Sequence, residues 1–215
     1  MLKVMGLIRR RPDLPLDEFR LHWRTIHRGL ALRLAEAGYM RGYVQNHRLD
    51  IAAPGLRIVA DGVPELWFAD ADAFAGMRGS PALREGAYQD EPAFMDIADY
   101  RSQLLDDETG TGASRRDCVG LLKAILFLRD GEGGMPLDGA VRHARQEARR
   151  LDLPIRLADY AAVETSWWAD LDSFRRAWSA HERAVDGLIA EERVVFWPGD
   201  PAPPADWRPI PQIRA

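Results

Sequence analysis

Three short stretches carry the residue types that acid–base chemistry needs. They are Phe19-Arg20-Leu21-His22-Trp23 with His27, then Tyr43-Val44-Gln45-Asn46-His47, and then Glu65-Leu66-Trp67. Histidine is the side chain that titrates nearest neutral pH, and a carboxylate beside it fixes its tautomer. Side chains alternate along a strand, so Tyr43, Gln45 and His47 share one face, with Val44 and Asn46 on the other. By the same rule Leu66 and Phe68 share a face, and Glu65 and Trp67 the opposite one. The Leu66/Phe68 face suits helices, so Glu65 and Trp67 should look into whatever the sheet encloses. If Tyr43, Gln45 and His47 point the same way, His47 and Glu65 form an acid/base pair in an apolar cavity, the form of a small-molecule site. The alternative is a structural cross-strand pair at a sheet edge. The catalytic candidates are therefore His47, Glu65, His22 and Tyr43. The substrate-binding candidates are Gln45, Trp67, His27 and Asn46.

These residues need elements to hold them. Leu2–Ile8 reads as a strand. Pro15–Ala37 has helical periodicity, with Phe19, Trp23, Ile26, Leu30 and Leu34 on one stripe and Gly38 as the stop. On such a helix His22 and His27 stand 140° apart, flanking the stripe on opposite sides. Chelating pairs are usually four apart, so no metal site is expected. His22 could equally be a helix-edge histidine bonded to a backbone carbonyl. Tyr39–Leu49 and Val63–Phe68 follow as strands, Asp70–Arg78 as a helix, Pro92–Ile97 as a helical stretch, and a last strand falls in Tyr100–Leu105. The order is βαββαβ, the ferredoxin-like plait.

The order occurs twice. Val63–Phe74 and Val163–Phe174 agree at six of twelve positions, including Trp67 with Trp167, at an offset of 100. Leu2-Lys3 matches Leu122-Lys123 at an offset of 120, and Leu16-Asp17 with His22 matches Leu137-Asp138 with His143 at 121. The second copy then reads as strand Val119–Leu128, helix Leu137–Leu151, strands Ile155–Ala161 and Val163–Ala169, helix Leu171–Arg183 and strand Arg193–Trp197. This alignment leaves it without a counterpart of Gln45-Asn46-His47, and it turns Trp23 and His27 into Ala144 and Ala148. The expected organisation is a site-bearing unit at 1–107, a polar linker at 108–117, a degenerate covering unit at 118–197 and a Pro-rich arm at 198–215. The expected fold class is α+β: two tandem ferredoxin-like units with antiparallel sheets, packed sheet to sheet as an α/β barrel that closes within one chain or between chains.

Composition excludes several roles. The 215 residues are 47% hydrophobic with a formal charge of −4, which argues against disorder and against nucleic-acid binding. No apolar run reaches the ~20 residues that span a bilayer, so no membrane association is expected. The lone cysteine, Cys118, rules out a disulfide framework and suits a cytoplasmic setting. Lysine occurs twice, at Lys3 and Lys123, beside 27 arginines, which reads as genome composition.

The elements Phe19-Arg20-x-His22-Trp23-Arg24 with His27, Tyr43-Val44-Gln45-Asn46-His47 and Asp61-Gly62-Val63-x-Glu65-Leu66-Trp67-Phe68 together resemble the EthD family of the dimeric α/β-barrel superfamily. The resemblance is good over about 1–105 and weak over 118–197. It implies oxygenase, dehydratase or isomerase chemistry on aromatic polyketides or lactones, usually without a metal or organic cofactor, under a broad oxidoreductase label. Some barrels of the superfamily bind haem, but no feature here singles out an axial histidine. The expectation is thus a cofactor-independent enzyme with a small-molecule substrate, with a ligand-binding or assembly module as the alternative. A homodimer is expected from the edge strands and the arm. In the arm, Trp207, Ile210 and Ile213 suggest packing on this chain or a partner.

Overall fold

Strand β1 (Leu2–Leu7) leads into helix α1 (Leu16–His22), a π-helical turn (Trp23–His27) and helix α2 (Arg28–Glu36). Strands β2 (Gly42–Arg48), β3 (Leu56–Ile58) and β4 (Gly62–Phe68) follow. Helix α3 (Ala71–Gly79), a second π-turn (Leu83–Ala87), helix α4 (Tyr88–Phe94) and strand β5 (Arg101–Leu105) complete the first half. The second half holds β6 (Thr109–Gly112), β7 (Leu122–Leu128), β8 (Arg142–Glu147), β9 (Ala162–Trp168), α5 (Leu171–Trp178) and β10 (Val185–Phe196). The computed structural model describes residues 1–153, 155–181 and 183–205. Local chemistry sets the helix boundaries. Gly38 takes φ +82 after α2, where the Tyr39 amide donates to the Leu34 carbonyl. Asp70 accepts from the Ala73 amide at 2.8 Å, and Asp170 with Ser173 forms a reciprocal capping box on α5.

The strands run β5-β1-β4-β2-β10-β7-β9-β8, with β6 beyond β8 and β3 parallel to β10. Within each half the order is fourth, first, third, second, the ferredoxin-like arrangement. Strands β2 and β10 join the halves on one side over Tyr43–Arg48. On the other side the Asp106 amide donates to Glu147, Arg149 to Leu104, Ser102 to Arg156 and Ala158 to Ser102, at 2.9–3.0 Å. The eight-stranded barrel therefore closes within one chain. Its interior is the inward face of both halves, with Met5, Val63, Leu105, Ile125, Phe127 and Leu188 in one buried cluster. The outward face of the first half lies under α1 to α4.

The structure departs from the sequence pattern at several places. Residues 137–151 are not a helix: Ala144 and Gln146 are buried between more exposed neighbours, and that two-residue alternation makes β8 a strand. Arg142 lies opposite Trp167 just as Gly42 lies opposite Trp67, so the offset of 100 extends through β8. His143 is thus the counterpart of Tyr43, not of His22. Arg145-Gln146-Glu147 stands where Gln45-Asn46-His47 stands. The shortening removed the first helix and kept the strand. Residues 155–161 form no strand; Leu157 makes an isolated bridge to Ser102. Thr109–Gly112 pairs with β8, and β10 is 12 residues long. In the C-terminal arm, Ala202 and Ala205 pack against the core under the helices, and the Ala205 amide donates to Glu36 at 2.8 Å. Trp207, Ile210 and Ile213 lie outside the described residues.

Candidate active site

Between the outward face of the first sheet and its helices lies a cavity of about 580 Å³. That is within the roughly 300–1,000 Å³ usual for small-molecule sites. Its floor is Val4, Tyr43, Pro64, Leu66 and Ser102. Trp23, His27, Phe74, Met77 and Glu91 come from the helical layer, and Tyr100 from the approach to β5. The wall is completed from the other half of the chain by Leu153, Ile155 and Arg156.

The π-turn decides which helix residues face this space. It adds a residue to one turn, and the Arg28 amide bonds back to Trp23, five positions earlier. Ile26, expected on the buried stripe, is therefore 55% exposed, and His27 turns inward. The same widening brings His22 and His27 together, though a regular helix would hold them 140° apart. Both bind Asp90 on α4: His22 Nε2 lies 2.8 Å from Oδ1 and His27 Nδ1 lies 3.0 Å from Oδ2. Both rings also lie against Phe94. Burial alone would push the Asp90 carboxyl up, but the hydrogen bonds from His27 and His22 hold it below the usual range.

The next residue, Glu91, behaves oppositely. Among the described residues its carboxylate accepts no hydrogen bond and makes no ion pair, and it faces the cavity. Burial pushes it up to about 7, with Arg78 opposing and Asp90 reinforcing the shift. Two adjacent carboxylates with diverging affinities for a proton are the pattern from which acid and base roles are read. Tyr100 is also raised by burial, and Ser102 donates to its hydroxyl at 3.4 Å.

The β2 residues divide as alternation requires, but not as expected relative to β4. Tyr43 lies opposite Leu66 and Val44 opposite Glu65, so Tyr43, Gln45 and His47 face the helices while Glu65 and Trp67 face the barrel interior. His47 and Glu65 occupy opposite sheet faces and form no pair. Tyr43 reaches the cavity floor, its hydroxyl accepts from Gln45 Nε2 at 2.7 Å, and burial pushes its pKa up to about 12. Gln45 and His47 are buried behind Trp23. His47 Nε2 donates to Gln45 Oε1 at 3.1 Å, and its ring lies 4.5 Å from that of Trp23. Burial, helped by Arg193, Arg20 and Arg24, holds the imidazole neutral, well below its ordinary pKa. Trp23 in turn rests on Gly62, where a Cβ would approach the indole to 2.4 Å.

Inside the barrel Glu65 joins a second constellation. Lys3 Nζ and Arg115 reach its Oε2 at 2.7 and 2.6 Å, and Lys123 Nζ and Asn46 Nδ2 reach its Oε1 at 2.5 and 3.0 Å. Lys123 also meets Glu192 at 2.5 Å. Burial opposes ionisation of Glu65, but Arg115, Lys123 and Lys3 together hold it well below the usual range. Lys3 stands over Trp67 and Lys123 over Trp167, so the two halves repeat the motif. These lysines are the only two in the sequence. Their retention at matched repeat positions in an arginine-rich chain is the signal that reading them as genome composition misses. Asp90 and Glu91 leave no comparable trace: they show only once α4 is docked on the π-turn. Among the described residues no group of three or more His, Cys, Asp or Glu could hold a metal ion, and no helix is long and apolar enough to cross a membrane.

Two ferredoxin-like halves closed into one barrel, with a helix-covered cavity on one of them, place the chain among the α/β-barrel proteins. Residues 11–98 match the EthD domain model, a segment that includes α1 to α4, β2, β4, Asp90 and Glu91. No curated protein matches the chain in sequence. A solved structure described as an anthrone oxidase-like protein shares the fold with a TM-score of 0.55 at 9% identity, over 90% of this chain and 92% of that one. Lower in similarity are a monooxygenase candidate from Fusobacterium nucleatum subsp. nucleatum (TM-score 0.45, 11% identity, 91% and 92% covered) and chlorite dismutase from Candidatus Nitrospira defluvii (TM-score 0.44, 10% identity, 88% and 89% covered).

Proposed function

We propose that this chain is an enzyme of the EthD type, acting in the helix-covered cavity on a small aromatic, polyketide-like or lactone molecule. The observation that carries this reading is Glu91, which faces the cavity with no hydrogen bond or ion pair among the described residues and is pushed by burial up to about 7. Such a group accepts a proton at neutral pH and can return it. In this reading Glu91 takes a proton from an acidified C–H or O–H of the substrate, and the electron pair stays on the substrate as an enolate or phenolate. Return of the proton at another atom gives an isomerase; reaction of the carbanion with dioxygen gives an oxidase or oxygenase. Tyr100 and Tyr43 offer hydroxyls to the developing oxyanion, and the Asp90 clamp fixes α4 so that Glu91 stays aimed. Of the sequence candidates, Tyr43 and His27 line the cavity beside Trp23, His22, Gln45 and His47 support them from behind, and Glu65, Trp67 and Asn46 stand on the opposite face of the sheet.

Turnover of an anthrone, a naphthol or a lactone, followed against pH, tests this. Wild type is expected to gain kcat/KM through a pKa near 7. Glu91→Gln is expected to lose about 10²-fold or more, the usual size of a general-base contribution. Unchanged kcat/KM in Glu91→Gln would remove Glu91 from the chemistry. Ligand binding without turnover across the panel would favour a binding module.

A further inference from the structure

We infer that the ligand of this cavity is an aromatic anion, its carboxylate or ionised phenol held at the mouth between Arg78 of α3 and Arg156 of the second half. This rests on the cavity being a small-molecule site, as proposed above. Both arginines line the cavity and both are solvent-exposed, which puts them at its opening. Among the described residues neither guanidinium has a carboxylate within ion-pair distance. Arg156 is held in place because one of its terminal nitrogens donates to the Ala98 carbonyl, leaving the rest of the fork free to bind.

The charge balance points the same way. The chain carries a net −4, yet its cavity is lined by two cations and one acid, Glu91, which lies near enough to Arg78 to feel its charge but forms no ion pair with it among the described residues and is only partly ionised near pH 7. His27, the other titratable group besides the tyrosines, is bonded to Asp90. The opening is thus positive and the depth apolar, with Leu66, Phe74 and Met77 below. That polarity orders a ligand with its anionic end outward and its ring system inward. Arg156 belongs to the segment between β8 and β9, so the second half, which also lends Leu153 and Ile155 to the wall, supplies a specificity-determining residue to a site built mainly by the first.

Calorimetric binding of 1-naphthol and 1-hydroxy-2-naphthoate at pH 8 tests the assignment, because the two share a ring system and differ by a carboxylate. Wild type is expected to bind the naphthoate at least about tenfold tighter. Arg78→Gln and Arg156→Gln should each erase about tenfold of that preference and leave naphthol within about twofold. Both side chains are exposed, so the variants should melt as wild type does. Equal affinity for the two probes, or variants that weaken both alike, would overturn the anion assignment and leave the cavity reading standing. If neither probe binds wild type, both fall.

Discussion

Asp90 and Glu91 are neighbours in sequence with opposite electrostatics, and the difference comes from what each side chain meets. Asp90 receives two imidazoles; Glu91 faces the cavity with no hydrogen-bonding partner among the described residues. The sign of the consequence is fixed by linkage. A carboxyl whose pKa rises from about 4.5 to about 7 on folding binds a proton more tightly in the folded state, so stability falls as pH rises between those values and stays low above them. Glu91→Gln should therefore raise stability at pH 8, by up to about 3 kcal/mol, and leave it nearly unchanged at pH 4. Urea unfolding at the two pH values measures this. A gain in stability with a loss of turnover would mark Glu91 as a residue kept for chemistry. No gain at pH 8 would mean that the carboxylate is solvated and its pKa ordinary.

At the scale of elements the π-turn is the decisive feature. The helical period, the Gly38 stop, the helix after β4 and the four strands of the first half are legible in the sequence because each is local. The face of every β2 residue relative to its strand neighbours is legible too. Which side of the sheet β2 and β4 share depends on register, and register cannot be read from either strand alone; alternation allows His47 and Glu65 one face, and the pairing of Tyr43 with Leu66 gives them two. One extra residue in a helical turn is invisible to a 3.6-residue period, so Ile26 and His27 exchange faces without warning. The helix expected at 137–151 fails for a related reason. A match of Leu, Asp and His carries less weight than the alternation of Ala144 and Gln146. The clamp itself yields a test. Asp90→Asn keeps the shape but loses the charge that two histidines address, and hydrogen bonds to a charged group contribute about 1.5–3 kcal/mol each. Because the Asp90 pKa is depressed by folding, its stabilisation is present above the unfolded carboxylate value and is lost as pH falls through the folded one. The variant should melt lower than wild type at pH 7, and the gap should close toward pH 3. A gap independent of pH would assign the effect to packing.

At the scale of the whole molecule the barrel interior is held by charges from both halves. Glu65 alone is bonded to Lys3, Lys123 and Arg115, so Glu65→Gln leaves buried cations under-compensated. A loss of about 3–5 kcal/mol is expected, the usual size for breaking a buried pair. Turnover per folded molecule should stay near wild type, since the network lies across the sheet from the cavity. Guanidinium melts together with activity normalised to folded protein check both halves of that statement. Equal stability in Glu65→Gln would mean that the interior is wet. The network also explains why the second half is retained after losing most of its helices: it completes a core that the first half leaves half built.

The two seams of the barrel are unequal, and this sets how the molecule breathes. Strands β2 and β10 pair over an almost continuous ladder, whereas the opposite seam rests on a few bonds between residues 102–106 and 147–158. Local opening follows the sparser side. That side carries Ser102 on the cavity floor and Arg156 at its mouth. The same fluctuation that unzips the barrel thus unroofs the pocket, and ligand entry is coupled to a hinge whose far edge is the β2–β10 ladder. Backbone amides of Arg149 and Ala158 should exchange with deuterium well before those of Gln45 and Val194, and a bound ligand should slow the first pair selectively.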